Sequence, residues 1–179
     1  MRKLVITGIL VLAAAAAPAA PPPRTLPGFD VVAPDGSTAQ AAQIARNGKW
    51  LLIFVKPHCP QCDTLLGTLD GASTQEGSRV AVIVKTGTPN GLAEMKAKYP
   101  HIAKAAWYAD VHASAARSLV VPASPTTLGM RGTAIAWRLT GTISALPTDE
   151  SSGIVLAGDA AADPRVRERT LVNGWLTQP

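Results

Sequence analysis

The chain contains two cysteines, Cys59 and Cys62, separated by Pro60 and Gln61. Two thiols this close can form a disulfide, exchange it with another protein's thiols, or hold a soft metal ion. They follow the apolar run Trp50 to Val55 and precede Leu65, Leu66 and Leu69 at i, i+1 and i+4, so they sit where a strand ends and a helix begins. Cys59 then falls at or near the helix N-cap, with Pro60 at the first helical position, where a missing N–H costs nothing. Backbone donors and the positive end of the helix dipole favour a thiolate there, by about 1.4 kcal/mol for each unit that the pKa drops below about 8.5. Cys62, one turn further in, is expected to be more buried and to resolve a mixed disulfide formed by Cys59.

Two other readings compete. An inert staple is the first, but closing about four residues restrains the unfolded chain by only roughly 2 kcal/mol, against about 3 for a 15-residue loop. Metal binding is the second: the two thiolates with His58 could hold Cu(I), whereas zinc needs a fourth ligand from His101 or His112, which have no supporting spacing.

The elements that would position the pair are legible. Trp50 to Val55 and Arg79 to Lys85 are continuous apolar runs of strand length, suited to strands covered on both faces. A short strand around Phe29 to Val32 turns at Pro34-Asp35-Gly36, followed by a weakly helical Ala39 to Ala45. Leu92 to Tyr99 reads as a helix, Ala105 to Ala109 as a short strand and Val111 to about Leu119 as another helix. This alternation predicts a mostly parallel sheet. Thr126 to Met130 and Ala134 to Leu139, around Arg131-Gly132-Thr133, read as a hairpin, and Arg165 to Leu176 as a last helix.

The N-terminus has a charged Arg2-Lys3, an apolar stretch from Leu4 to about Ala17 and a small-residue Ala17-Pro18-Ala19, the three parts of a secretory signal peptide. Cleavage is expected after about Ala19, leaving a Pro-rich linker over 20–28 and one domain over 29–179. The alternative is an uncleaved anchor, although the apolar stretch is shorter than the roughly 20 residues a span needs. Removing the leader drops the formal charge from +5 to +3, and the remaining Lys and Arg are scattered, which argues against nucleic-acid binding. Outside the cytoplasmic membrane a close thiol pair can cycle with its disulfide under dedicated partners.

Strand, Cys-x-x-Cys, helix and a later hairpin introduced by Ser124-Pro125-Thr126-Thr127 together resemble the thioredoxin fold, over roughly residues 29–140. The leader, the N-terminal hairpin over Phe29 to Ser37 and an extra βα segment in the central crossover, Arg79 to Leu119, resemble the TlpA/ResA branch. Phe54 to Leu66 is similar to MauD-type proteins, periplasmic accessory factors of methylamine dehydrogenase maturation. The resemblance implies an α/β fold and a cis-proline beside the redox pair, preceded by a residue whose backbone bonds a bound polypeptide. Pro125 and Ser124 match these, with Pro122 as the competitor and a plain loop turn as the other reading of Pro125. The chain also departs from the family: His58 stands where Trp is usual, Ile53 where thioredoxins carry a buried acid, and Leu65 and Gly67 where TlpA/ResA relatives carry Glu and Pro.

His58 is thus the remaining acid–base candidate, with a solvated surface role as its alternative. An imidazolium there, or Lys56, would favour the Cys59 thiolate, whereas Asp63 would oppose negative charge nearby. Trp107, Tyr108, Trp137 and Trp175 are expected in the core, and Arg165, Arg167 and Arg169 on a solvated helix face. The expected function is an exported protein thiol-disulfide oxidoreductase. Cys59 and Cys62 are catalytic with His58, while Pro60, Ser124 and Pro125 contact the substrate. It needs no bound cofactor, acts on cysteines of another exported protein and is reset by a membrane-bound thiol partner. The rival is a copper chaperone or a non-catalytic client-binding module.

Overall fold

The computed structural model describes residues 22–72, 79–86 and 88–141. The expected signal peptide, the stretch beyond Gly141, Trp175 and the helix expected over Arg165 to Leu176 lie outside the described residues. The elements are β1 (Asp30–Val32), β2 (Thr38–Gln40), α1 (Ala41–Ile44), β3 (Lys49–Val55), α2 (Pro60–Ala72), β4 (Val80–Val84) and α3 (Pro89–Lys98). A 3-10 turn (His101–Lys104), β5 (Ala106–Ala109), α4 (Ser114–Ser118), β6 (Thr126–Arg131) and β7 (Ala134–Thr140) complete them.

One seven-stranded sheet has the order β2-β1-β5-β4-β3-β6-β7. Its centre, β3-β4-β5, is parallel, while β1 and β2 on one side and β6 and β7 on the other pair antiparallel. The sheet is therefore mixed, not mostly parallel as the helix–strand alternation predicts. Each edge is a hairpin, and a hairpin pairs its strands antiparallel whatever the middle does. The result is an α/β thioredoxin-like fold.

β3 is apolar throughout because both its faces are covered. Leu51, Ile53 and Val55 join Cys62, Leu65, Leu66, Met95 and Tyr99 beneath α2 and α3. Trp50, Leu52 and Phe54 join Ile44, Leu119, Leu128 and Met130 on the other face, under α1 and α4. Each such Val, Leu, Ile or Phe contributes roughly 1.5–3 kcal/mol of burial, which holds β3 in the middle of the molecule.

Three local differences from the sequence reading have physical causes. α3 begins at Pro89, three residues before Leu92, because proline is well accommodated in a first turn. α4 is shorter than Val111 to Leu119: Ala113 is left-handed, at φ 53°, and the chain turns before the helix starts. Both oxygens of the buried Asp110 accept the backbone N–H groups of Ala115 and Ala116, at 3.1 and 2.9 Å, which sets the start of α4. Ala39 and Gln40 belong to β2, so the first helix is only Ala41–Ile44. Trp107 is buried as expected, but Tyr108 and Trp137 are half-buried.

Candidate active site

β3 runs out at Val55 and the chain turns through Pro57 and His58 into α2. His58 takes the left-handed conformation, φ 55°, within the four-residue turn that carries the strand into the helix. Pro60 is the first residue of α2, and the Asp63 N–H donates to the Cys59 carbonyl at 3.0 Å, the first helical bond. The Cys62 N–H donates to Cys59 Sγ at 3.2 Å, so the sulfur itself caps the helix. A thiolate at Cys59 would receive the same hydrogen bond and face the positive end of the dipole.

Cys59 and Cys62 are joined as a disulfide, with Cα atoms 5.2 Å apart, inside the usual range. Cys62 has no exposed surface and Cys59 retains 5%. His58, Pro60 and Gln61 are exposed around Cys59, so only the first sulfur has an approach from solvent.

The Ser124–Pro125 peptide is the cis one, and Pro122 is not. The Ser124 carbonyl oxygen lies 3.7 Å from Cys59 Sγ, within reach of a proton on that sulfur in the reduced form. The loop is held from both ends. Thr126 Oγ1 donates to the Ala123 carbonyl at 2.7 Å, and the Gly141 N–H donates to the Pro125 carbonyl at 2.8 Å. Upstream, the Arg138 guanidinium donates to the carbonyls of Leu119 and Val120, at 2.7 and 3.0 Å. Partial burial pulls the Arg138 pKa down, although such a group stays charged.

A second cluster flanks the pair. The Asp63 carboxylate accepts the Tyr99 hydroxyl at 2.6 Å, and Lys98 Nζ lies 2.9 Å from the same oxygen. The bond from Tyr99, then that from Lys98, holds the Asp63 carboxyl below its ordinary range. Burial, then the bond to Asp63, pushes the Tyr99 phenol well above its usual value, so it stays a donor. The sequence reading saw Asp63 only as a charge opposing the thiolate; Lys98 and Tyr99, 35 and 36 residues away, were missed. Nothing in local spacing signals them, and neither does it signal Arg138.

Among the described residues no three His, Cys, Asp or Glu side chains gather as a metal-binding group. His58, His101 and His112 are all exposed. A cleft of about 700 Å³ between the β1–β2 turn and α3 includes neither cysteine. No helix among the described residues is long and apolar enough to cross a membrane.

Fold and site together define a thioredoxin-like frame carrying a Cys-x-x-Cys disulfide at a helix N-terminus. Solved structures with this frame include a putative thiol:disulfide interchange protein DsbE from Chlorobium tepidum, with a TM-score of 0.61 at 13% identity over 88% of this chain and 99% of that one. A secreted Mycobacterium tuberculosis disulfide oxidoreductase homologous to E. coli DsbE aligns with a TM-score of 0.54 at 20% identity, over 78% and 94% of the two chains. A thiol-disulfide oxidoreductase from Bacteroides fragilis gives 0.52 at 18%, over 64% and 88%. No protein-family model matches the chain, and no curated protein matches its sequence.

Proposed function

We propose that this chain is an exported protein thiol-disulfide oxidoreductase. The observation that carries the reading is Cys59 Sγ, capped by the Cys62 N–H and facing the Ser124 carbonyl beside the cis-proline. In the reducing direction the Cys59 thiolate attacks one sulfur of a client disulfide. That S–S bond breaks, and the departing sulfur takes a proton from solvent. The Cys62 thiol, losing its proton, then attacks Cys59 Sγ and expels the client's second thiol. The client gains two electrons and two protons, and Cys59–Cys62 becomes the disulfide. Every step reverses for oxidation; in isomerisation a different client thiolate attacks the mixed disulfide, forms a new client S–S bond and expels the Cys59 thiolate, with no net redox change.

Cys59 is the attacker and Cys62 the resolver, which agrees with their exposure. Pro60, Ser124 and Pro125 border the client's approach, and His58, adjacent to Cys59, is the acid–base candidate. The β1–β2 hairpin and an extra βα segment within the crossover over Arg79 to Leu119 are read as additions to the basic frame, as in TlpA/ResA proteins, and the motif is similar to that of MauD-type factors. The leader over 1–19 supports export, and a membrane-bound thiol partner would reset the pair. The similar frame of a secreted disulfide oxidoreductase supports the same assignment.

The test is the reduction potential of the pair in glutathione and dithiothreitol buffers, with Cys59→Ser and Cys62→Ser as controls. A reversible potential near −270 mV identifies a reductant and one near about −120 mV an oxidant. A pair that stays oxidised below roughly −300 mV is structural, and the proposal fails.

A further inference from the structure

The parallel centre of the sheet brings three charged residues to one edge. Lys56, Lys85 and Asp110 are the first residues beyond β3, β4 and β5. Neighbouring ends are tied by the Lys85 N–H to the Val55 carbonyl, at 2.7 Å, and the Asp110 N–H to the Val84 carbonyl, at 2.9 Å. Asp110 does not offset the two lysines at the surface: it is 2% exposed, and both its oxygens point into the start of α4. Asp63, the acid next to Cys62, is already engaged by Lys98 and Tyr99. Lys56 and Lys85 are both exposed, and neither forms an ion pair with any described residue.

Two like charges at adjacent strand ends add nothing to the fold and repel weakly. They do create a positive edge at the mouth of the redox motif, since Lys56 is three residues before Cys59. Ammonium groups on flexible stems suit carboxylates whose positions vary from one polypeptide to another. Such contacts act mainly on association rate and weaken with salt. Building on the redox reading, we infer that Lys56 and Lys85 form an electrostatic docking edge for client polypeptides carrying carboxylates near their reactive cysteine.

The test uses the full-length reduced protein and synthetic disulfide-bonded peptides of one length, whose cysteines are flanked by Asp and Glu, by Lys, or by neutral residues. Each reaction converts the protein dithiol to its disulfide and the peptide disulfide to two thiols. The acidic peptide is expected to react about tenfold faster than the basic one at low ionic strength, at the lower end of electrostatic steering. That preference should shrink as salt rises to physiological strength and reverse in the Lys56→Glu/Lys85→Glu double variant. Lys56→Gln/Lys85→Gln should bring it close to one. Taking the acidic-to-basic ratio within each variant cancels any change in thiol reactivity caused by the lost charges. A ratio near one in the unaltered protein, or a preference that survives both substitutions, overturns the inference. A preference that emerges only when Asp149, Glu150, Asp159 and Asp163 are neutralised in the full chain also overturns it, because the chain's own carboxylates would then be the occupant. Failure to react with the neutral peptide would instead sink the redox reading on which this one rests.

Discussion

The Tyr99 hydroxyl donates a 2.6 Å hydrogen bond to the carboxylate of Asp63, the residue that follows Cys62. It joins the end of α3 to the first turn of the redox helix, and Lys98 adds the opposite charge at the same oxygen. An acid beside the thiol pair is thereby kept ionised and tied to a neighbouring helix.

Tyr99→Phe removes the main donor and leaves Lys98 as the partner. The bond to a partly buried ionised group is worth about 1–2 kcal/mol, so the variant should unfold at lower denaturant concentration at pH 7. Asp63 titrates below its ordinary 3.8 in the folded chain, so its contribution is complete above that value and disappears as pH falls through the folded one. The gap between variant and parent should therefore close on acidification below pH 3.8. Denaturant melts across that range check it, and a gap that is constant with pH would assign the loss to packing alone.

Reduced Cys62→Ser protein should react with iodoacetamide at Cys59, with half-maximal rate at a pH below about 8.5, and should trap mixed disulfides with substrate. Cys59→Ser, whose remaining sulfur has no exposed surface, should react at least about tenfold more slowly. Equal rates in the two variants would contradict the attacker and resolver assignment.

Arg138 acts on the cis-proline loop at one remove, through the carbonyls of Leu119 and Val120. Arg138→Gln should cost roughly 2 kcal/mol of stability, since two charge-assisted bonds are lost. It should also raise KM for a protein disulfide several-fold, with a much smaller effect on a small uncharged disulfide and on kcat. A simple loss of stability would move neither KM ratio.

Gly129 lies opposite Trp137 in the β6–β7 ladder, and a Cβ there would run into the indole ring. Gly129→Ala is expected to destabilise by about 1–3 kcal/mol through overpacking. Trp137→Leu in the same chain should relieve part of the clash, giving a coupling of about 1 kcal/mol in a double-mutant cycle. Strict additivity would show that the strand simply shifts to make room.

Local chemistry is what the sequence carried on its own. A continuous apolar run has to be a covered strand, Pro60 has to open the helix, and Cys59 then falls at the cap, because propensity and hydrogen-bond chemistry act over a few residues. The hairpin at Gly132, whose φ of 57° suits glycine, was legible for the same reason. Which of Pro122 and Pro125 is cis was decided by the packed loop, not by residue identity, since both follow ordinary residues. The pairing of Asp63 with Lys98 and Tyr99 and the grip of Arg138 depend on chain segments that only the sheet order brings together. So does the exposed pair Lys56 and Lys85, left unmatched because Asp110 turns inward to start α4. Such contacts join residues from about 20 to more than 30 positions apart; no local preference encodes them, and burial of the two faces of β3 is what draws those segments into reach.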